Sequence, residues 1–363
     1  MYEIDFLPVG EGQRSGDAIA IRFEAPGAPA RVVIIDGGYR DDGPQLVDHV
    51  LKYYDTTTVD LVIATHSDAD HINGLSVALE ELNARELMIH RPGEHASELS
   101  RMSAYARLRK SLGQDLTDKL ERSLEAVASL IQQAERAGIP VTEPFTGVQR
   151  FGGALTVVGP TEDYYTSLLP DFRSATSAAT AESLVRKALR ASGQVLTRVM
   201  ESVHIETLTD DGSTSAENSS SAIIHLEVDN RRLLFTGDAG IEALTRVANT
   251  LDGGGYGWSP TSRPLDFIQI PHHGSKHNVG PTILNRLLGH PGDRSDGSFI
   301  AIASAAETSL KHPSQRVINA FVRRGGYVGA TNGVKVCHSY LATPRNDYNP
   351  VAPLPLVAEF DED

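Results

Sequence analysis

The sequence predicts an α/β fold in which two β-sheets pack on each other with helices outside. Two observations carry that expectation. Short apolar, β-branched segments bounded by Gly or Pro open the chain and return after residue 218, and each such block runs on into alternating helices and strands. No repeat of 20–50 residues accompanies this weak twofold pattern, which sets solenoids and propellers aside. Of the 363 residues, 40% are hydrophobic and 22% charged, a globular balance with chain enough for two domains or one large one.

Residues 2–7, 17–23 and 31–35 read as strands and 44–54 as a helix. The strand VDLVIA at 59–64 ends in the polar run Thr65-His66-Ser67-Asp68-Ala69-Asp70-His71, a helix starts near His71, and 86–90 is again a strand. From about 95 to 138, Leu108, Leu112, Leu116, Leu120, Leu124, Val127 and Ile131 recur at helical spacing until Gly138 and Pro140 stop them. GGALTVVGP at 152–160 returns to strand. Residues 161–217 hold one helix at 179–191 and close in TDDGSTSAENSSS, a polar run that reads as a mobile loop. SAIIHLEV (221–228) and RRLLFTG (231–237) flank Asp229-Asn230, a two-residue turn signal, and predict a hairpin.

Helix 240–250, strand 265–271, helix 280–288, strand 299–303, helix 313–323 and strands 326–330 and 334–339 complete the pattern. The loop 251–263 has three consecutive glycines but no helix in phosphate-loop register, so it reads as a connection. The expected organisation is one domain over 1–345, interrupted at about 95–140 and 161–217, with an acidic, Pro-rich tail over the surface.

A net charge of −14 argues against a protein that coats nucleic acid with basic surface. The single Cys337 excludes an internal disulfide framework and a Cys-rich zinc finger. No apolar run approaches the ~18 residues of a membrane span, and Glu3 and Asp5 stand where a signal peptide carries Lys or Arg. A soluble cytoplasmic protein without a membrane partner is expected.

His66, Asp68, Asp70 and His71 place four metal-binding side chains within six residues at a strand's end. In a loop, two can turn to one ion and two to another; the plain alternative is a helix N-cap by Ser67 or Asp68. Three later elements end in similar groups: LLFTG in Asp238, FIQIP in His272-His273-Gly274-Ser275, and the segment before helix 313–323 in His312-Pro313. Taken singly, these read as an N-cap, two surface histidines and a helix start.

THSDADHINGL resembles the H-x-H-x-D-H loop of the metallo-β-lactamase superfamily, and LLFTGDA and PHHGS resemble its later metal-binding elements. A closer resemblance is to the lactamase-like domain of the competence DNA-uptake channels (ComEC) and their free-standing relatives. It is carried by VGEGQRSGDAIAI, IIDGG at 34–38, Asn218 to Ser221, HHGS at 272–275 and LKHPSQRVINAF at 310–321. It covers most of 1–90 and 218–340 and includes no channel portion, so DNA transport is not implied. The resemblance implies an αββα four-layer sandwich with two divalent ions, zinc or manganese. His66 and Asp68 would bind one ion, Asp70 and His71 the second, Asp238 would bridge, and His273 would complete the second site. His272 would face substrate or support a ligand, the two histidines being exchangeable, and Asp36 would orient a ligand histidine. Two departures stand out: Asp68 replaces a histidine, and Glu217-Asn218-Ser219 occupies the place of another. The resulting set of three imidazoles and three carboxylates suits Zn²⁺ and also Mn²⁺.

Two metals ~3.5–4 Å apart hold a hydroxide at neutral pH and clamp both oxygens of an in-line displacement, which suits the anionic transition state of phosphodiester hydrolysis. The expected catalytic residues are Asp70, His272 and His312, with His312 or the non-ligand histidine of the 272/273 pair as general acid. Ser275 and Lys276 could contact a phosphate, the plain alternative for Lys276 being a solvated loop lysine. The leading expectation is a metal-dependent phosphodiesterase, a nuclease on DNA. The alternatives are a small-ester hydrolase of phosphocholine esterase or lactonase type, and a non-catalytic binding module. Arg101, Arg107, Arg109 and Lys110 would line a nucleic-acid groove or simply face solvent. The resemblance also implies an effector of bacterial defence, with the 161–217 segment, near Arg190 and Arg198, open to a regulatory protease. Two divalent ions would move the formal charge from −14 to −10, so contact with nucleic acid is expected to be local to a metal-centred groove.

Overall fold

The computed structural model describes residues 1–25, 27–95, 114–172, 206–253, 259–260, 262–345, 347–348 and 351–357, with side chains from 123 onward in the helix that starts at 114. One sheet is built from β1 (Tyr2–Phe6), β2 (Ala18–Phe23), β3 (Arg31–Gly37), β5 (Leu61–Ile63), β7 (Leu87–Met88), β8 (Val141–Thr142) and β16 (Val336–Tyr340), in the order β16-β1-β2-β3-β5-β7-β8. The other comprises β9 (Gln149–Arg150), β10 (Leu155–Gly159), β11 (Ile223–Val228), β12 (Arg231–Phe235), β13 (Phe267–Gln269), β14 (Phe299–Ala303) and β15 (Gly326–Ala330), in the order β15-β14-β13-β12-β11-β10-β9. Each sheet passes from antiparallel to parallel pairing, at β3–β5 in the first and β12–β13 in the second. The weak twofold pattern of the sequence is this repeated switch.

Strict alternation along the strands makes four layers. Val33 and Ile35 face the inter-sheet core with Phe6, Ile63, Phe235 and Phe267, while Val32 and Ile34 face the helices Gly43–Tyr54 and Leu75–Glu81. In the second sheet Leu233 and Phe235 point inward, and Leu234 points out to the helices Ile241–Gly253 and Pro281–Leu288. The helix Gln114–Arg136 adds Val127, Leu130 and Ala134 to the outer core of the first sheet. Among the described residues no helix is long and apolar enough to cross a membrane.

Three local readings need correction. The single strand expected at 59–64 is two, β4 (Thr58–Val59) and β5, with β4 pairing β6 (Asn83–Ala84) in a separate ladder. Asp60 breaks the run because its carboxylate is taken by Val32 N–H at 3.0 Å and by Arg31 and Arg85 at 2.8 and 2.9 Å. Secondly, the polar run before Ser221 is tied down rather than loose. Asp210 accepts from Thr282 N–H (3.0 Å) and its hydroxyl (2.6 Å), capping a helix start. Ser215 caps the turn Ala216–Ser219, and Glu217 and Asn218 are buried. Just upstream, Glu206 meets the wholly buried Arg324 at 2.6 and 3.0 Å. Thirdly, short elements at Pro92–His95 and Glu162–Leu168, with β8 and β9, were not legible from periodicity. Leu108, Leu112, helix 179–191, Arg190, Arg198 and the cluster Arg101, Arg107, Arg109 and Lys110 lie outside the described residues.

The hairpin turn is as expected: Asp229 (φ 52°) and Asn230 (φ 60°) are both left-handed, the conformation that matches strand twist. Glu3 and Asp5 are buried, and the tail residue Arg345 pairs with them at 3.0 and 2.6 Å. Phe235 and Phe267 contact at 5.4 Å between ring centres in the inter-sheet core, and Phe267 reaches Phe6 at 6.0 Å. Truncating Phe235 to Ala is expected to cost about 3–5 kcal/mol, read as a lower urea midpoint at unchanged slope.

Candidate metal centre

The loops that follow β3, β5, β12 and β13 open at one end of the sandwich, where the carboxyl ends of parallel strands gather. Asp36, the penultimate residue of β3, is wholly buried with φ 58°. Its Oδ1 accepts Thr65 N–H (2.8 Å), and its Oδ2 accepts the Thr65 hydroxyl (2.6 Å) and His71 Nδ1–H (2.7 Å). With one proton fixed on Nδ1, His71 turns Nε2 to Asp238 Oδ1 at 3.5 Å, and loss of the second proton would leave a lone pair there. Having given its proton to Asp36, the Thr65 hydroxyl accepts His66 Nδ1–H at 3.0 Å. His66 therefore also presents a bare Nε2, 3.8 Å from Asp238 Oδ2 and 4.0 Å from Asp68 Oδ2. One buried carboxylate thus fixes the ring orientation of two histidines.

The chain can turn sharply here because Gly74 passes against β3, where an added Cβ would lie 1.9 Å from the Gly37 carbonyl oxygen. On the other sheet, Thr236 and Gly237 N–H groups donate to Gln269 Oε1 (2.9 and 3.1 Å), and Asp238 N–H donates to the Ser221 hydroxyl (3.1 Å). Gln269 Nε2 in turn holds Asp17 Oδ2 at 2.9 Å. His272 (φ 49°) and His273 (φ 57°) are consecutive left-handed residues, a conformation that costs of order 1–3 kcal/mol each outside glycine and gathers at functional sites. Gly274 follows at φ 89°, and a Cβ there would meet Pro313 Cβ at 2.5 Å. This corner carries His273 Nε2 to 3.8 Å from Asp70 Oδ2, its Nδ1 to 3.9 Å from Asp17 Oδ1, and His272 Nε2 to 3.6 Å from Asp238 Oδ2.

Buried donor atoms face one another here without hydrogen bonds: His66 Nε2, His71 Nε2, both nitrogens of His273 and Asp238 Oδ1 have no partner. Separations of 3.5–4.0 Å exceed hydrogen-bond length. They are close to the ~3.4 Å edge of a tetrahedron of donors about an ion bound at ~2.1 Å. The triads His66/His71/Asp238 and Asp70/His71/His273 each bring their donors within 4.8 Å of one another. The nitrogen-and-carboxylate chemistry of these residues fits divalent ions. Asp68 occupies the N-cap position of the turn Ala69–Ile72 but makes no side-chain capping bond, so the capping alternative does not account for it.

The electrostatics agree. Burial pulls the His71 pKa down, but Asp238 and Asp36 overcome it and hold it well above the imidazole range. Burial likewise opposes protonation of His273, yet Asp238, Asp70 and Asp17 raise it to about 9. Burial would raise Asp70, but His273 and His71 bring it to about 2. Protons on His71 and His273 hold the place a metal cation would take. His66, buried beside His71, is lowered.

His312 stacks on His272, with ring centres 6.0 Å apart, and meets His273 edge-on at 6.4 Å. Burial, then His273 and His272, lower its pKa to about 4. Ser275 is buried and its hydroxyl accepts His277 N–H (3.3 Å), while Lys276 is exposed. Asp17, Gln269, Asn278, Thr65 and Ser221 are supporting residues that motif reading did not single out. The signal for Gln269 was a lone amide inside the apolar strand FIQIP.

The family model of the metallo-β-lactamase superfamily matches residues 12–285. The chain belongs to this superfamily. Its members are metal-dependent hydrolases, and the two-sheet fold with outer helices is theirs. No curated protein matches the chain. Among similar solved structures, a hydrolase, AbOPH, of the β-lactamase superfamily is 11% identical over 61% of this chain and 56% of its own (TM-score 0.32). A CmlA β-hydroxylase variant is 10% identical over 93% and 54% (TM-score 0.45). A diphosphatase of the PhnP family is 13% identical over 93% and 98% (TM-score 0.39). The chain thus spans little more than half the length of the first two.

Because His71 and His273 bind protons in the metal-free centre, a divalent ion must displace them. Zinc affinity of the chelated protein is expected to rise from pH 6.5 toward 9 with proton release. Calorimetry in buffers of different ionisation heat measures this, and a pH-independent affinity would contradict it.

Proposed function

We propose that this superfamily hydrolase is a phosphodiesterase that cleaves DNA with two zinc or manganese ions. The observation that carries the reading is the placement of Asp238, whose Oδ1 faces His71 Nε2 while its Oδ2 faces His66 Nε2. One carboxylate therefore serves two adjacent positions, the requirement of a dinuclear centre. Ions bound there would supply Lewis acidity and activation of water at neutral pH. The chain's own residues hold that arrangement. Asp36 and Thr65 keep His71 and His66 in one tautomer, and Gln269 and Ser221 fix the Asp238 loop. His312 lies against His272 and His273 and could offer a hydrogen bond, and the exposed Lys276 and Lys311, next in sequence to these elements, give charge for a phosphate.

DNA is favoured over a small ester by the resemblance of five separate motifs to the lactamase-like domain of the competence DNA-uptake proteins. The test is a matrix of metals against plasmid DNA, single-stranded DNA, RNA, a phosphocholine ester and a lactone. Asp70→Ala with His71→Ala is expected to keep the fold and lose cleavage by roughly 10²–10³-fold or more. Wild-type protein that cuts neither DNA nor RNA with any divalent ion would end the nuclease reading. Turnover of the ester or lactone instead would move the protein to the small-ester class.

A further inference from the structure

The first metal position is short of nitrogen, since Asp68 and Glu217-Asn218-Ser219 stand where the superfamily pattern would place histidines. We infer that His272 makes up the deficit, its Nε2 binding the same ion as His66, so that the adjacent histidines 272 and 273 serve different ions. The assignment rests on the dinuclear reading above but not on the identity of the substrate.

Asn278 decides the tautomer. It is wholly buried, and its Nδ2 donates to the Asp238 carbonyl at 2.8 Å, with the Ala239 carbonyl at 3.4 Å. Its Oδ1 is therefore the atom 2.9 Å from His272 Nδ1, and an amide oxygen only accepts. The imidazole proton sits on Nδ1, leaving Nε2 with a lone pair. Asn218, 3.2 Å from the same Nδ1, has the Thr214 and Ser215 hydroxyls as its other partners. Hydroxyls donate or accept alike, so this amide can turn its oxygen to the same proton.

The bare Nε2 of His272 then lies 3.6 Å from Asp238 Oδ2, the oxygen that His66 Nε2 approaches at 3.8 Å. Two imidazole nitrogens therefore approach the same carboxylate oxygen from different elements, and a cation bound to that oxygen would meet both. The two left-handed residues separate the adjacent rings, 5.6 Å apart and inclined by 67°. His273 is carried to Asp70, and His272 to the far oxygen of Asp238. The first position then has His66, Asp68, Asp238 and His272, a four-donor set of the kind zinc takes.

The test reads metal binding rather than turnover. Chelated wild-type protein is titrated with Zn²⁺ by calorimetry and with Co²⁺ by visible absorption, which reports the donors about each ion. Wild type should take up two ions. His272→Ala should weaken one of them at least ~10-fold and alter the absorption of that equivalent alone, and His272→Gln provides the same readout should the alanine variant misfold. His66→Ala combined with His272→Ala should still bind one ion, whereas His66→Ala combined with His273→Ala should impair both. Unchanged affinities and spectrum in both His272 variants would overturn the assignment while leaving the dinuclear reading intact. Wild-type protein that binds neither ion would overturn both.

Discussion

The buried carboxylate of Asp36 is the contact on which the centre depends. It spans two neighbouring parallel strands, holding the backbone and hydroxyl of Thr65 on one side and the His71 ring on the other. An ionised carboxylate away from water is costly unless each oxygen is satisfied, and Asp36 meets that condition with three hydrogen bonds. The consequence reaches beyond its own contacts. Directly through His71 and indirectly through Thr65 and His66, it settles which nitrogens are left bare toward Asp238. The orientation of the centre is thus set one layer behind the atoms that would touch a metal.

What surrounds Asp36 is a group of carboxyls packed against imidazoles. Asp17, Asp68, Asp70 and Asp238 crowd against histidines whose donor atoms lack hydrogen-bond partners. The protein tolerates this by anchoring the backbone rather than the charges: Gln269 clamps Thr236, Gly237 and Asp17, Asn278 clamps Asp238, and Ser221 takes its amide. Rigid support around unsatisfied donors is how a preorganised binding site is built.

Much of this was legible in the sequence, for identifiable reasons. The strands were visible because alternate residues serve the two faces of each sheet, as Val32 to Ile35 do. The loop of candidate metal donors was visible because four donors crowd into six residues. The split at Asp60 was not, since its cause is a hydrogen bond to a strand 28 residues away. Nor was the order of the segment 206–221, whose polar composition means solvent only where the hydroxyls and carboxylates lack internal partners. Here Thr282, Asn218 and Arg324 supply them. The roles of His272, Asn278 and Gln269 depend on which atom faces which, information that spacing along a chain does not carry.

The distribution of donors between the sheets has a consequence for how the molecule is made. His66, Asp68, Asp70 and His71 follow β5 in the first sheet, whereas Asp238 and His273 follow β12 and β13 in the second. Neither half of the chain holds a complete triad around Asp238 or His273, so those donor sets close only when the later strands are docked. A divalent ion that binds only the finished pairing stabilises it by mass action. An ion held between these donors would tie the two sheets together in their final register.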